Sequence, residues 1–379
     1  MYEKQFEQFG RWGLHFKNKW VMAPMGFIRA EDGGISPQQR AYLAERAKGG
    51  FGTIYPSAHT VTNRYEKAGT GNFLCTLSHA ARLAQTVEEI HRYGAVFALQ
   101  LSPGYGRVNS GRPGCTEHVS ASDNTVFFYP DHRCRALTIE EIHTLIARMG
   151  TAASMAAEAG VDIIELHAYG GYLIDQFMSR IWNRRQDEYG GSLENRLRFF
   201  MECYQAVRSA VGKGFPVSVK YTPQHGIPGG RTLADEGIQI AEILDQMDFA
   251  FIHLDDGCYE CWERAIPTAD LPAGSQLYAA EALKKAGIRK PLMVQGRLND
   301  PDLAEDVLQR GTAEFIAVGR QALADPFFPV KVREGREDEI IRCVLCGDCL
   351  NTGRKKRPLG CSANPRTAHE LEYTGKADY

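Results

Sequence analysis

Several features are scarce or missing in this 379-residue chain. No apolar run approaches the roughly 20 residues a membrane-crossing helix needs, and the opening Met1-Tyr-Glu-Lys-Gln-Phe-Glu7 lacks the apolar core of a secretory signal. Neither sign of charge dominates. The 44 Lys and Arg face 46 Asp and Glu for a net charge of −2, and like charges form no block, so the basic footprint of a nucleic-acid binder is missing. There is no Gly-x-Gly-x-x-Gly fingerprint, no repeat at solenoid spacing and no low-complexity segment. What remains is a chain long enough to bury a sizeable core and expected in the cytoplasm, with a small molecule as partner and neither nucleic acid nor membrane. Cysteine, by contrast, is plentiful. Ten in a reducing compartment argue against a disulfide framework and for metal or redox use.

Eight short apolar runs recur with helix-patterned stretches between them: Val21–Met25, Gly52–Pro56, Ala95–Gln100, Asp162–Leu166, Pro216–Lys220, Phe249–His253, Pro291–Gln295 and Phe315–Gly319. Alternating strand and helix repeated eight times predicts an α/β fold, the closed (β/α)8 TIM barrel. The intervening segments, such as Glu140 to Glu158 and Leu233 to Met247, carry apolar residues at helical spacing with acids near their starts. Tyr105 to Arg135 is rich in Gly, Ser, Asn and Asp without a period, an elaborated loop after the third strand that is placed to shape a pocket. The pattern changes near Asp325, which predicts a barrel over 1–325 and a separate cysteine-rich module over 326–379.

Strand four runs into His167-Ala-Tyr-Gly-Gly-Tyr172-Leu-Ile-Asp175. Strand tips on one face of a parallel barrel are where donors converge on a substrate, and a neutral phenol there can give up a proton, so His167 and Tyr172 are the catalytic candidates. The loops after strands seven and eight of such a barrel commonly hold a phosphate, through backbone N–H groups that glycines leave open. Gly296-Arg297 and Gly319-Arg320 occupy those two places, although each pair could instead be a simple turn.

Cys343-Val-Leu-Cys346-Gly-Asp-Cys349 and Cys361 supply four thiols, three of them within seven residues, so that one compact loop can wrap a cluster face. Tetrahedral zinc is the alternative, but zinc ribbons use two separated Cys-x-x-Cys knuckles, and the spacing favours iron-sulfur. Cys258 and Cys261 have metal-like spacing with no nearby second pair and read as incidental thiols. His253 is either a structural residue or a ligand contact.

The stretch from His167 through Phe177, continued by Asn183-Arg-Arg-Gln-Asp187 to Asn195-Arg196, resembles the signature of the old yellow enzyme family of flavin ene-reductases. The resemblance implies FMN as cofactor, with hydride passing to the β-carbon of an activated C=C bond. Tyr172 would be the proton donor to the α-carbon and His167 the donor to the substrate carbonyl. It also implies flavin contacts at Pro24, Met25, Gly26, Ala58, Gln100 and Lys220, with Gln100 at the pyrimidine edge and Lys220 at the N1/O2 locus. Two positions depart from the family. Gly170 stands where many relatives carry a second His or Asn, and Gly26 where some carry Cys or Thr.

Ile252-His-Leu-Asp-Asp-Gly-Cys258-Tyr-Glu-Cys261-Trp262 resembles the 2-enoate reductases and bile-acid-inducible flavoproteins. Those relatives, the dienoyl-CoA reductases and trimethylamine dehydrogenase carry a [4Fe-4S] cluster after the same barrel with similar cysteine spacing, then continue into FAD- and NAD-binding domains. The resemblance therefore implies Cys343, Cys346, Cys349 and Cys361 as cluster ligands. Electrons would come ultimately from NAD(P)H, through domains that either belong to a longer chain or form a separate reductase subunit. A homo-oligomer is left open. The expected reaction is reduction of an enoate, enone or steroid-like acid. The rivals are amine oxidation of the trimethylamine dehydrogenase type, a non-catalytic electron-transfer flavoprotein and a phosphate-binding barrel with structural zinc.

Overall fold

Eight parallel strands close into a barrel in this computed structural model, which describes residues 2–26, 29–66, 71–114, 116–351 and 359–373. They are β1 (Trp20–Met22), β2 (Thr53–Ile54), β3 (Val96–Ser102), β4 (Ile163–Ala168), β5 (Val217–Tyr221), β6 (Ile252–Leu254), β7 (Leu292–Val294) and β8 (Phe315–Val318). Each falls on one of the eight apolar runs. Sequential neighbours pair in parallel register from Val21↔Thr53 round to Met293↔Phe315, and β8 closes on β1 through Ile316↔Trp20. A closed sheet has no edge strand to protect.

Because strand side chains alternate, every second residue points into the barrel. The lower interior is apolar, filled by Val21, Val96, Ala98, Ile163, Phe251, Met293, Phe315 and Ala317. One step further along, the same inward register turns polar: Gln100 follows Ala98, Glu165 follows Ile163, His253 follows Phe251 and Gln295 follows Met293. One further step brings His167 on β4, beside Lys220 of β5. The register that fills the core thus delivers the chemistry-bearing side chains to the carboxyl rim.

Helices α1 (Pro37–Lys48), α2 (Leu77–His91), α3 (Ile139–Glu158), α4 (Leu193–Val211), α5 (Ile238–Gln246), α6 (Leu277–Lys285), α7 (Pro301–Gln309) and α8 (Arg320–Ala324) alternate with the strands. Five of these starts are capped by side chains, Ser36, Thr76, Thr138, Ser192 and Asp300 accepting first-turn N–H groups, and Thr138 with Glu141 forms a reciprocal capping box. The outward faces of the strands and the apolar stripes of the helices share one continuous core.

Three additions complete the barrel. An N-terminal hairpin, Phe9–Arg11 with Leu14–Phe16, plugs the amino end with stacked rings, Phe9 on Phe16 at 4.8 Å and Trp12 against Phe251 at 5.7 Å. The expected loop over 105–135 contains short pairings, Val119–Ser120 with Arg135–Ala136 and Thr125–Val126 with Tyr129–Arg133. After Asp325 the described residues lean on the barrel: the Phe328 ring packs edge-on against Trp20 at 4.9 Å, Thr367 Oγ1 donates to Leu323 O at 2.7 Å, and buried Arg46 of α1 pairs with Glu370. The parts of the expected 326–379 module at 352–358 and 374–379 lie outside the described residues. No described helix is long and apolar enough to cross a membrane.

Candidate active site

The chain leaves β4 through two left-handed glycines, Gly170 at φ +63° and Gly171 at φ +83°. Their N–H groups donate to Thr222 Oγ1 at 3.1 Å and to Asp175 Oδ2 at 2.8 Å. A Cβ on Gly171 would stand 3.1 Å from the Trp182 ring. This turn makes Tyr172 the N-cap of a six-residue helix, Leu173–Met178, and brings its ring back over His167 with centroids 4.2 Å apart. Gly170, with no side chain, offers no second donor at this turn, although a Cβ there would meet only the Tyr172 ring at 3.6 Å. Asp175 anchors the turn from below, held by His225 Nε2 at 3.0 Å and Arg231 Nη2 at 2.9 Å. Burial alone would raise its carboxyl, but His225 and Arg231 hold it down at about 2.

His167 is 2% exposed, and burial, reinforced by the Lys220 ammonium, presses its imidazole down to about 3, so the ring is neutral at physiological pH. Its Nδ1 is buried without a hydrogen-bond partner. An orphaned buried polar atom costs about 1–3 kcal/mol, and one at a site mouth points to an absent ligand. Burial also raises the Tyr172 phenol well above its ordinary value, with Tyr259 and Tyr169 adding to the effect, so it carries its proton. Tyr105, Tyr169 and Tyr259 surround Tyr172 with centroids at 5.5, 5.2 and 5.5 Å. Lys220 Nζ lies 4.3 Å over the Tyr169 ring, 3.0 Å from Asp255 Oδ2 and 3.0 Å from Gln295 Oε1.

Below these groups a polar layer crosses the barrel. Glu165 accepts from Gln100 Nε2 at 2.7 Å and Tyr55 Oη at 3.0 Å, and faces His253 Nδ1 at 3.1 Å. The other ring nitrogen of His253 lies 3.1 Å from Gln295 Oε1, which links the layer to Lys220. Burial by itself would raise the Glu165 carboxyl. His253, Lys220 and the Gln100 amide outweigh it and hold the group below its usual range. Fully buried, His253 is therefore an interior residue of this layer.

The remaining expected positions collect at the same rim. Pro24, Met25 and Gly26 follow β1, and a Cβ on Gly319 would stand 3.2 Å from Met25 Sδ, so the first and last loops touch where Gly319 lacks a side chain. Ala58 follows β2, its carbonyl accepting from Asn72 N at 3.0 Å. Gly296 is left-handed at φ +103°, and so is Arg297 at φ +60°, unusual for a residue with a side chain. The two guanidiniums reach the loop after β6: Arg297 donates to Thr268 O at 3.0 Å and Arg320 to Pro267 O at 2.6 Å.

Cys343, Cys349 and Cys361 are partly buried while Cys346 is exposed, its Sγ 3.3 Å from Ser362 Oγ. Leu345 and Gly347 adopt left-handed backbone, folding the Cys343–Cys349 segment tightly. Burial pushes the Cys349 thiol up to about 11, with Cys343, Cys361 and Cys346 adding to the rise and Arg320 opposing it. Arg320 is close enough to Cys343 and Cys349 to feel their charge. Among the described residues no three His, Cys, Asp or Glu side chains converge as a single metal ion requires. Cys258 and Cys261, sulfurs 3.9 Å apart, pack with Trp182, Ile181 and Ile227, and Cys261 Sγ donates to His225 O at 2.8 Å.

Sequence reasoning missed Glu165, Tyr55, Gln295, Asp255, Tyr105 and Tyr259. Two of these carried a readable signal: Glu165 is two residues before His167, and Asp255 two after His253, each in the inward register.

Residues 8–339 match the NADH:flavin oxidoreductase / NADH oxidase family, and the chain belongs to it. It is 35% identical to a cinnamate reductase of Clostridium sporogenes, over 95% of this chain and 57% of that protein. It is 36% identical to an NADH oxidase of Thermoanaerobacter brockii, over 96% of this chain and 56% of that one. Among solved structures, a 2-naphthoyl-CoA reductase in complex with 2-naphthoyl-CoA superposes with TM-score 0.89 at 29% identity, over 98% of this chain and 58% of the other. The chain spans a little over half the length of each of these proteins.

Proposed function

We propose that this chain is the FMN-binding barrel of an ene-reductase that reduces the C=C bond of an α,β-unsaturated carbonyl compound, with electrons ultimately from NAD(P)H. The observation that carries this is the neutral, buried His167, its Nδ1 unpartnered and its ring 4.2 Å from protonated Tyr172. His167 offers a substrate carbonyl an N–H without introducing a second cation beside Lys220. That hydrogen bond draws electron density toward the oxygen and makes the β-carbon electrophilic. Tyr172 delivers its proton to the α-carbon, and burial keeps that proton in place until the carbanion develops.

Gly296 and Gly319, with Arg297 and Arg320, would hold the FMN phosphate, while Pro24, Met25, Gly26, Ala58, Gln100 and Lys220 would contact its ring. Bound FMN supplies the hydride. The bare Gly319 cradle against Met25 and the Lys220 cation fit such a group. Cys343, Cys346, Cys349 and Cys361 would hold a [4Fe-4S] cluster, which would supply electrons received from a reductase module. Nine thiols among the described residues are free, which suits a reducing compartment, the cytoplasm.

The substrate class we favour is an aryl-conjugated enoate or its thioester. Phe127, Phe128, Tyr259 and Trp262 wall the mouth with aromatic faces, and the relatives include a cinnamate reductase and a 2-naphthoyl-CoA reductase. Amine oxidation fits less well, since the cation over the Tyr169 face is the chain's own Lys220. The test is the absorption spectrum of protein purified without oxygen, followed through dithionite reduction and then addition of cinnamate. Flavin bands that bleach and return with cinnamate support the reading. A flavin that cinnamate, cinnamoyl thioesters and simple enones all leave reduced overturns it.

A further inference from the structure

The phenol oxygens of Tyr172 and Tyr259 lie 2.8 Å apart, although the residues come from different loops, 87 positions apart in the chain. Tyr259 opens the short 3-10 helix Tyr259–Cys261 after β6. Its ring is fixed by Trp262 at 4.7 Å, Phe127 at 5.3 Å and Phe128 at 5.8 Å. Trp262 and Phe128 are 36% and 41% exposed, so this collar lies at the solvent edge. The turn is pinned from two further directions: Glu260 pairs with Arg107 at 2.6 Å, and Cys261 Sγ donates to His225 O at 2.8 Å. That is more anchoring than a surface turn needs, and its result is one hydroxyl held against another.

We propose that Tyr259 is a proton-relay residue that acts through Tyr172, returning to it from solvent the proton spent on each turnover. This rests on the reading of Tyr172 as the acid. As hydride adds to the β-carbon and the π bond opens, the Tyr172 Oη–H bond breaks and a C–H bond forms at the α-carbon. Left alone, Tyr172 would be a phenolate in a desolvated site, which is unfavourable. In the same step the Tyr259 Oη–H bond breaks as the Tyr172 Oη–H bond re-forms, and a water at the rim then restores the proton to Tyr259, leaving hydroxide to the buffer. No electrons move in the relay. A substrate lying on His167 and Tyr172 covers the direct approach of water to Tyr172, whereas the hydrogen bond to Tyr259 leads outward.

The test uses the full FMN-loaded chain, reduced with dithionite and mixed with cinnamate or whichever enoate or enone reoxidises the parent. The rate is followed at the flavin band in mixtures of H2O and D2O. In the parent, the rate should curve with deuterium fraction, reporting two protons in flight. In Tyr259→Phe it should become linear and slower by about 10- to 100-fold, near the lower end of general-acid assistance. FMN affinity, measured by fluorescence titration, should not move; a packing role alone would leave the isotope curvature in place. A Tyr259→Phe variant that reoxidises at the parent rate while Tyr172→Phe is slow overturns the relay and spares the acid. Parent rates from both variants overturn the acid as well. If Tyr259→Phe does not load FMN, the parent decides alone: a linear dependence overturns the relay, and a curved one supports it.

Discussion

Glu165 of β4 and His253 of β6 meet across the barrel interior, Oε2 to Nδ1 at 3.1 Å, and neither side chain is exposed to solvent. The pair sits between the apolar floor of Phe251 and Met293 and the His167 and Lys220 groups above, so it is the level at which the apolar core gives way to the polar rim of the candidate site. Removing one partner of a buried hydrogen-bonded pair is costly because the other is left unsatisfied, typically by about 1–3 kcal/mol. Glu165→Ala also strips an acceptor from Tyr55 and Gln100. We expect a lowered melting temperature, with residual FMN binding where the protein folds. A melting temperature equal to the parent's would mean that the layer carries no stability.

The acid side of the stability profile should report the buried histidines. Burial presses His167 to about 3 and His59 to about 4, against about 6.5 in an unfolded chain. Between these values the unfolded chain binds more protons than the folded one. Stability is therefore fully present above about pH 6.5 and declines as pH falls toward 4, with each histidine contributing a slope of about 1.4 kcal/mol per pH unit. His167→Asn should flatten that decline by one histidine's share, read from thermal unfolding between pH 4 and 7. Superimposable acid limbs for parent and variant would contradict the neutral assignment.

The barrel was almost wholly legible in the sequence, since eight short apolar runs with helix-patterned stretches between them admit few other closures, and each became a strand. His167 and Tyr172 were legible because their partnership is local: two glycines and five residues of chain bring them together. Tyr259 gave no such signal, because its partner lies in another loop. Glu165 carried only the register signal, two residues before His167, because its partners Tyr55, Gln100 and His253 come from elsewhere in the chain and meet it only once the barrel closes. The N-terminal hairpin plug was also unread, its rings meaning little until Phe251 and Phe315 appear beneath them.

Arg320 lies between the loop after β8 and the cysteine segment, with its guanidinium on Pro267 O. Arg320→Ala should weaken FMN binding by about 10- to 100-fold, the value of losing one charge-assisted hydrogen bond of about 1.5–3 kcal/mol. Equilibrium dialysis of FMN against apoprotein measures it. Unchanged affinity would move the phosphate away from this loop.

Cys346 is the exposed member of the four thiols, so Cys346→Ser should be the substitution the fold tolerates best. Protein prepared without oxygen should contain about four irons per chain, with a broad visible absorption beneath the flavin bands. Cys346→Ser should lose that absorption and most of the iron while keeping flavin. One zinc per chain with no iron would replace the cluster by a structural ion.

The sharpest contrast lies between the two residues of the β4 tip. Tyr172→Phe keeps the ring that packs on His167 at 4.2 Å and removes only the hydroxyl. Reoxidation of reduced flavin by an unsaturated carbonyl should slow by about 10²–10⁴, the usual worth of general-acid assistance, with substrate affinity little changed. Flavin reduction by dithionite should be untouched, because it requires no proton from Tyr172. His167→Ala should act on binding as well as rate, since Gly170 offers the carbonyl no second donor and the buried cavity left behind faces the Lys220 cation. Single-turnover rates at several substrate concentrations separate the two effects. Equal losses of affinity in both variants would mean that His167 and Tyr172 only shape the pocket, and the acid and the carbonyl donor would have to be sought elsewhere on the rim.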